Sequence, residues 1–409
     1  MSLLDRIVTE NTPSSFTGNA NDIPAKMRGK ADTHTYLVTM YKGIGDAISF
    51  GLSAIDQIMQ NDPQARGKID VLCNHIQAEI FKHDPRINRL ISGSESLFDR
   101  PELTNWFQGL MPDAKTAALG QFLRDRHYTA IFPGMILPGF YSRLRTSVMT
   151  PSWLELGKNL LMLRKEQDVP MQTIARRMVN RYFGNRSPVA EMSDEIPLYL
   201  SSEEVRNAAG VVRDIKKRSS VSAENSQLLV VATDTTSTVT RPPVALLAAS
   251  IAQALRECPT LIACILQGYT DANAALHLLE ALKPEFEGRV FLMPAEPKAS
   301  LLDVSAFIDQ ADVFITGDTG LMHVAITTKK LEGDNYGLYS PNNTVKIIAL
   351  FGGTNPCLYG YPQRTTILGR GRKEQLAFKP GIAKETYDPR GSNLFDHIAP
   401  EQLAEEIVN

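Results

Sequence analysis

Two short segments of this sequence have residue types and spacing that could do chemistry. The first is DVFITGDTGLMHVAITT (312–328). Its apolar stretch reads as a buried strand ending at Gly317, after which Thr319, Gly320 and Leu321 open a helix. The free backbone N–H groups and the dipole at such a helix start suit an anion such as a diphosphate. Gly320 lets a ligand approach with no Cβ in the way. Asp318 either hydrogen-bonds ribose or sugar hydroxyls or simply caps the helix. His323, one turn in, either faces the phosphates or is a packed polar residue. The second segment is KGIGDAISFGLSAI (42–55), again strand, glycine turn and helix. Gly43 and Gly45 permit a tight turn that leaves room for a substrate. The third glycine of a GxGxxG fingerprint is missing, which argues against a dinucleotide. Asp46 is either a general base for an acceptor hydroxyl or a helix N-cap.

The elements that must carry these segments alternate strand and helix from Thr33 onward, the pattern of parallel sheets covered on both faces. In the first half, strands are expected at 33–40, 68–73, 86–92 and 128–133. Between the first two runs a helix with Ile48, Leu52, Ile55 and Ile58 on one face. Helices are also expected near 114–126, 152–166 and 171–183. IPLYLSSEEV (196–205) reads as a crossing segment, with Ser201 or Ser202 capping a helix to about Lys217. A second series follows, with strands at 228–233, 260–266, 289–293, 312–317 and 345–352 and a last helix from about Pro400. The expected fold is α/β, with two Rossmann-like doubly wound parallel-sheet domains facing a central cleft. Ligands in such folds bind at the carboxyl ends of the strands. The boundaries read as a flexible N-terminal arm over 1–32, a first domain over 33–195, a crossing segment and helix over 196–227, and a second domain over 228–409.

Composition narrows the class. The 409 residues suit two domains, each able to bury a full core. The 43 Lys and Arg nearly cancel the 45 Asp and Glu, for a formal charge of −2. That balance argues against a nucleic-acid binder held by a global basic field. The four cysteines, Cys73, Cys258, Cys264 and Cys357, show no CxxC spacing and read as reduced thiols. There is no signal peptide pattern and no run of roughly 20 apolar residues, so the expected location is cytoplasmic. No DxD motif or His cluster with metal-ligand spacing is present, so neither a metal nor a cofactor is expected.

Together the two segments resemble the heptosyltransferases of glycosyltransferase family 9, which adopt the GT-B fold. The resemblance rests on GIGD (43–46), DTGLMH (318–323) and the loop ALFGGTNPCLYGYP (349–362), and it spans roughly residues 35–408. The sequence departs from the family in three places. In ATDTTSTVTRPPVALL (232–247) Arg241 is the basic candidate, where the family carries Lys or Arg followed by Trp-Pro. Gly360-Tyr361-Pro362 stands where the family tends to show Gly-Pro. KKLEGDNYGLYSPNNT (329–344) reads as an insertion just after the phosphate helix.

The resemblance implies a metal-independent, inverting transfer of a heptose or related sugar, with ADP-heptose as the leading donor. The acceptor would be a hydroxyl such as one of lipopolysaccharide core. Asp46 would take the acceptor proton, while Thr235, Thr236, Arg241, Asp318, Thr319, Gly320, Leu321 and His323 would hold the donor. Acceptor binding would fall to the first half. There, residues 141–186 hold nine Lys/Arg against three Asp/Glu, including Arg143, Arg145, Arg176, Arg177 and Arg181. The same pattern also suits a solvated helix face over an apolar stripe. The expected partners are a nucleotide diphosphate sugar and a glycan, protein or small-molecule acceptor. Nucleic acid and a transmembrane segment are excluded, and a peripheral membrane contact stays open. The alternatives are a same-fold transferase acting on a protein or natural-product acceptor, and a non-catalytic nucleotide-sugar-binding protein.

Overall fold

The computed structural model describes residues 35–40, 43–93, 128–133, 170–184, 195–233, 235, 240–268, 272–293, 299–332, 345–354, 356–369 and 394–409. It divides into two compact units, the first running to Tyr199 and the second starting at Leu200. The expected arm over 1–32 and the helices near 114–126 and 152–166 lie outside the described residues.

The first unit is built on a parallel sheet of β1 (Tyr36–Thr39), β2 (Ile69–Asn74), β3 (Ile87–Gly93) and β4 (Ala130–Pro133), in the order β3-β2-β1-β4. Every residue of β1 is buried, as expected of a central parallel strand covered on both faces. β1 leads to a helical run made of Ile44–Asp46, a wider π-type turn at Ala47–Leu52 and a regular stretch at Ser53–Asn61. Ile48, Leu52, Ile55 and Ile58 are all fully buried, which is the face the periodicity predicts. Gly51 sits inside the π-type turn, and a Cβ there would overlap the Met40 sulfur and press on the Phe81 ring. Its lack of a side chain lets this helix approach the sheet.

The Met171–Tyr182 helix packs along Ser53–Asn61, with Asn61 Nδ2 donating to Asn180 Oδ1 at 2.7 Å. In β2, the buried carboxylate of Asp70 accepts from Tyr128 Oη and Asn88 Nδ2, each at 2.8 Å.

After β5 (Pro197–Leu200), the Ser202–Arg218 helix is capped by Ser201. Its hydroxyl accepts from Glu204 N, and Glu204 Oε2 accepts from Ser201 N in return. This reciprocal pair settles the cap on Ser201 rather than Ser202.

The second unit holds six parallel strands in the order β12-β11-β9-β6-β7-β8: β6 (Gln227–Ala232), β7 (Leu261–Leu266), β8 (Val290–Met293), β9 (Val313–Gly317), β11 (Lys346–Phe351) and β12 (Thr366–Gly369). Alternate strand residues, among them Leu229, Val231, Ala263, Ile265, Ile315 and Ile348, form one core with the helices Val244–Glu257, Ala272–Leu282 and Pro400–Val408. Their neighbours Val230, Ile262, Cys264 and Phe314 point to the opposite face and are fully buried too, so both faces are covered. Three strands were not expected from the sequence, the first being β5 in the crossing segment. β12 adds an edge, and β10 (Thr328–Leu331) forms at the start of the apparent insertion. The remainder of that insertion, 333–344, lies outside the described residues.

Candidate functional site

The strand order of the second unit locates a site before any side chain is considered. β6 comes first in the chain and sits in the middle, with β7 and β8 on one side and β9, β11 and β12 on the other. The chain therefore reverses direction across the sheet between β6 and β9, and in open α/β sheets ligands bind at the carboxyl ends beside that switch. The segments following β6 and β9 are the two that carry the chemistry-bearing residues.

Gly317 brings them together. It is the last residue of β9, and a Cβ on it would overlap the carbonyl oxygen of Thr240 and lie 3.1 Å from Pro242 Cδ. The 240–242 backbone thus rests directly against the end of β9, with Arg241 between the two contact points. Arg241 Nη2 donates to the Thr235 carbonyl at 3.0 Å, and the Thr235 and Thr240 hydroxyls are 2.7 Å apart. One loop therefore holds Thr235 and Arg241 as a unit beside Asp318 and Thr319. Thr236 lies outside the described residues.

The helix after β9 is short, Gly320–Ala325, and its N-cap is Thr319 rather than Asp318. Thr319 is extended (φ −136°, ψ 169°), and its hydroxyl lies 3.1 Å from that of Thr316. The N-cap position therefore falls one residue later than the sequence placed it. Gly320 and Leu321 occupy the first turn. His323 is buried, with Nδ1 2.6 Å from Tyr361 Oη and Nε2 3.8 Å from Asp318 Oδ1. Burial lowers its pKa to about 4, so the imidazole is neutral near pH 7.

Four further contributors emerge, three of which escape sequence reasoning; Thr233 is the exception, since the threonines of 233–236 are expected to stabilise charge on the diphosphate. Thr233, directly after β6, and Thr354, after β11, each have a buried hydroxyl with no hydrogen-bond partner among the described residues. Strand order puts these two orphan hydroxyls on either side of the β9 end, where a ligand's oxygens would complete them. Lys329 is buried, and its ammonium donates to the carbonyls of Val324, Ala325 and Thr327, closing the far end of the short helix. Tyr361 is the fourth. Gly360 has no room for a side chain, because a Cβ would overlap the Pro356 carbonyl and crowd Ile367. That tight turn is what seats Tyr361 against His323. The extra residue relative to Gly-Pro was the available signal for Tyr361, and the Thr of GGTNP was the signal for Thr354.

In the first unit, GIGD follows β1, which has β2 and β3 on one side and β4 on the other. Asp46 is not the N-cap of its helix. It stands in the first turn, and its Oδ2 accepts from the Gly43 N–H at 3.2 Å. Gln77, fully buried, donates to the Gly43 carbonyl at 2.8 Å, so both backbone groups of Gly43 are held. Ser49 Oγ donates to the Gly45 carbonyl at 2.7 Å. These three bonds hold the turn, and Asp46 is half-buried at the carboxyl end of the sheet.

The basic cluster is only partly available for an acceptor. Arg176 is buried, donating to the Glu195 carbonyl at 2.9 Å and paired with Asp56 at 3.6 Å. It is a structural residue, which corrects its place in the cluster. Arg177 and Arg181 are exposed, while Arg143 and Arg145 lie outside the described residues. Among the described residues no group of three His, Cys, Asp or Glu could hold a metal ion, and no helix is long and apolar enough to cross a membrane.

Comparison with known proteins agrees with this geometry. The sequence profile of glycosyltransferase family 9 (heptosyltransferase) matches residues 260–380, which include the β9 motif and the GGTNP loop. No curated protein sequence matches the chain. Among solved structures, the glycosyl transferase family 9 protein from Veillonella parvula superposes with a TM-score of 0.65 at 13% identity, covering 93% of this chain and 97% of its own. E. coli ADP-heptose LPS heptosyltransferase II gives 0.56 at 16% identity, with 91% and 97% covered. E. coli heptosyltransferase WaaC with ADP-2-deoxy-2-fluoro heptose gives 0.55 at 15% identity, with 91% and 98% covered. Over residues 260–380 the chain is similar to glycosyltransferase family 9 (heptosyltransferase), and its fold is that of the GT-B enzymes it superposes on.

Proposed function

We propose that this protein transfers a heptose, or a closely related sugar, from a nucleotide diphosphate sugar to an acceptor hydroxyl, with ADP-heptose as the donor and inversion at the anomeric carbon. The observation that carries the donor half is the seating of the 240–242 backbone on Gly317, which joins Thr235 and Arg241 to Asp318 and Thr319 at the strand-order switch. Arg241 supplies a cation, and the first turn of the Gly320–Ala325 helix supplies backbone donors. Both would stabilise charge as it builds on the departing diphosphate. The orphan hydroxyls of Thr233 and Thr354 would complete their hydrogen bonds on donor oxygens.

In this reading the first unit takes the acceptor and the second takes the donor. Asp46 removes the proton of the acceptor hydroxyl as its oxygen attacks the anomeric carbon, opposite the leaving diphosphate. A carboxylate pinned by the Gly43 N–H keeps one lone-pair direction fixed for that proton. The cation and the helix N–H groups do the work a divalent ion would otherwise do. We further assign the acceptor to a phosphorylated glycan such as lipopolysaccharide core, and the reaction to the cytoplasm, on the basic bias of the first half.

The test is calorimetric titration with ADP-, GDP- and UDP-sugars, followed by turnover assays with and without excess EDTA. Preferential binding of ADP-heptose and turnover that survives EDTA are expected. Selective binding of GDP- or UDP-sugars would overturn the donor assignment. Loss of turnover in EDTA, restored by Mg²⁺, would overturn the metal-independent mechanism.

A further inference from the structure

Tyr361 is the residue at which the loop after β11 departs from the Gly-Pro of the family it resembles, and it sits on the one histidine of the candidate site. Its hydroxyl is 2.6 Å from His323 Nδ1, and the two rings meet edge to face, with centroids 5.4 Å apart and an 83° angle. Both side chains are about 5% exposed, so solvent does not supply a substitute partner.

A neutral imidazole carries one proton, and the nitrogen that holds it decides what each side of the ring can do. A hydroxyl can donate or accept, so the contact at Nδ1 alone does not choose. The other nitrogen does. Nε2 lies 3.8 Å from Asp318 Oδ1, and a carboxylate oxygen offers only lone pairs. With the proton on Nδ1, the bare Nε2 would point its own lone pair at that oxygen in a place nearly closed to water. With the proton on Nε2, an N–H faces the carboxylate, and Nδ1 is left as the acceptor for Tyr361.

We propose that Tyr361 is a positioning residue: with the Nε2–H tautomer set by Asp318, its hydroxyl donates to His323 Nδ1, holds the ring, and so keeps that N–H directed toward Asp318 at the end of β9. Three segments far apart in sequence then act as one chain of contacts, from the turn at Gly360 through the short helix to the β9 end. The functional consequence rests on the reading of this strand end as the donor site, where the orientation of Asp318 sets how sugar or ribose hydroxyls are met. Removing the hydroxyl leaves the tautomer to Asp318 but takes away the contact that holds the ring, so the Nε2–H is no longer kept on the carboxylate.

The experiment uses the full chain labelled with ¹⁵N-histidine, with long-range ¹H–¹⁵N spectra reading which ring nitrogen holds the proton. The signal of His323, one of seven histidines, is identified by its loss in His323→Gln. The wild type should show a single Nε2–H pattern at pH 7. Tyr361→Phe, which keeps the ring, should retain the Nε2–H pattern but shift the Nδ1 resonance to that of a nitrogen accepting no hydrogen bond, with ADP-heptose affinity reduced about fivefold, the worth of one hydrogen bond. An Nδ1–H pattern in the wild type overturns the inference, as do an Nδ1 resonance and an ADP-heptose affinity that are unchanged in Tyr361→Phe. If the Phe variant does not fold, the wild-type Nδ1 resonance decides alone: a nitrogen accepting no hydrogen bond overturns the inference. If the tautomers behave as stated but the wild type binds no ADP-heptose, the donor reading fails and the assignment of Tyr361 stands.

Discussion

Gly317, at the end of β9, and Thr240, in the segment after β6, are in contact, so close that a single Cβ on Gly317 would occupy the space of the Thr240 carbonyl oxygen. Gly317→Ala must therefore push the 240–242 segment away from the β9 end. A displacement of packed backbone costs about 1–3 kcal/mol, and it moves Arg241 with it. Denaturant unfolding should register that loss, and ADP titration should register weaker binding beyond it. Gly210 is the control. It lies within the Ser202–Arg218 helix with nothing near its missing Cβ. Gly210→Ala should therefore stabilise the protein by about 0.5–1 kcal/mol and leave ADP affinity unchanged.

Asp46→Asn should abolish the proton transfer while preserving the turn. The amide oxygen can still accept from the Gly43 N–H, so the local structure keeps its cap. A general base contributes about 10²–10⁴ in rate and little in ground-state affinity. Turnover should fall by that factor, with donor affinity within a few fold of wild type. An Asn variant of normal activity would make Asp46 a turn residue only.

His323 links the candidate site to acid stability. Burial depresses its folded pKa from 6.5 to about 4. Between those values the unfolded chain binds more protons than the folded one, so stability rises with pH through this window and falls as pH drops below 6.5. Replacing the ring by one that does not titrate, in His323→Phe, should flatten that part of the profile. The check is the midpoint of urea unfolding for both proteins at pH 4.5 and pH 7, with the wild type losing more on acidification.

Lys329 gives the opposite end of the pH scale. Burial pushes its ammonium from 10.5 down to about 8, against the attraction of Asp309. Above pH 8 the folded protein sheds a proton that the unfolded chain keeps until about 10.5, so this lysine costs less stability as pH rises. Relative to Lys329→Met, the wild type should gain about 2 kcal/mol between pH 7 and pH 10. A stability difference that does not change with pH would mean that the ammonium is solvated in the native state.

Much of the architecture is written in local sequence. Apolar runs such as LLVV, LIACIL and VFIT have the length and composition of strands buried on both faces, and the periodic burial of Ile48, Leu52, Ile55 and Ile58 follows from helical spacing alone. The Ser201 and Glu204 pair likewise announces a helix start by itself. The glycine turn before Asp46 and the strand-to-helix joint at Asp318 were visible for the same reason: each lies within one short segment. What sequence could not supply is which loop meets which. Thr240 reaches Gly317, Tyr361 reaches His323, and Arg176 turns inward to Asp56 instead of outward to a ligand. Those contacts depend on strand order, because parallel pairing lets segments more than 70 residues apart, such as those after β6 and β9, end side by side. Composition and periodicity are blind to that order. The reach of a side chain, and hence the N-cap at Thr319 and the proton on His323, is decided only once the sheet has brought its carboxyl ends together.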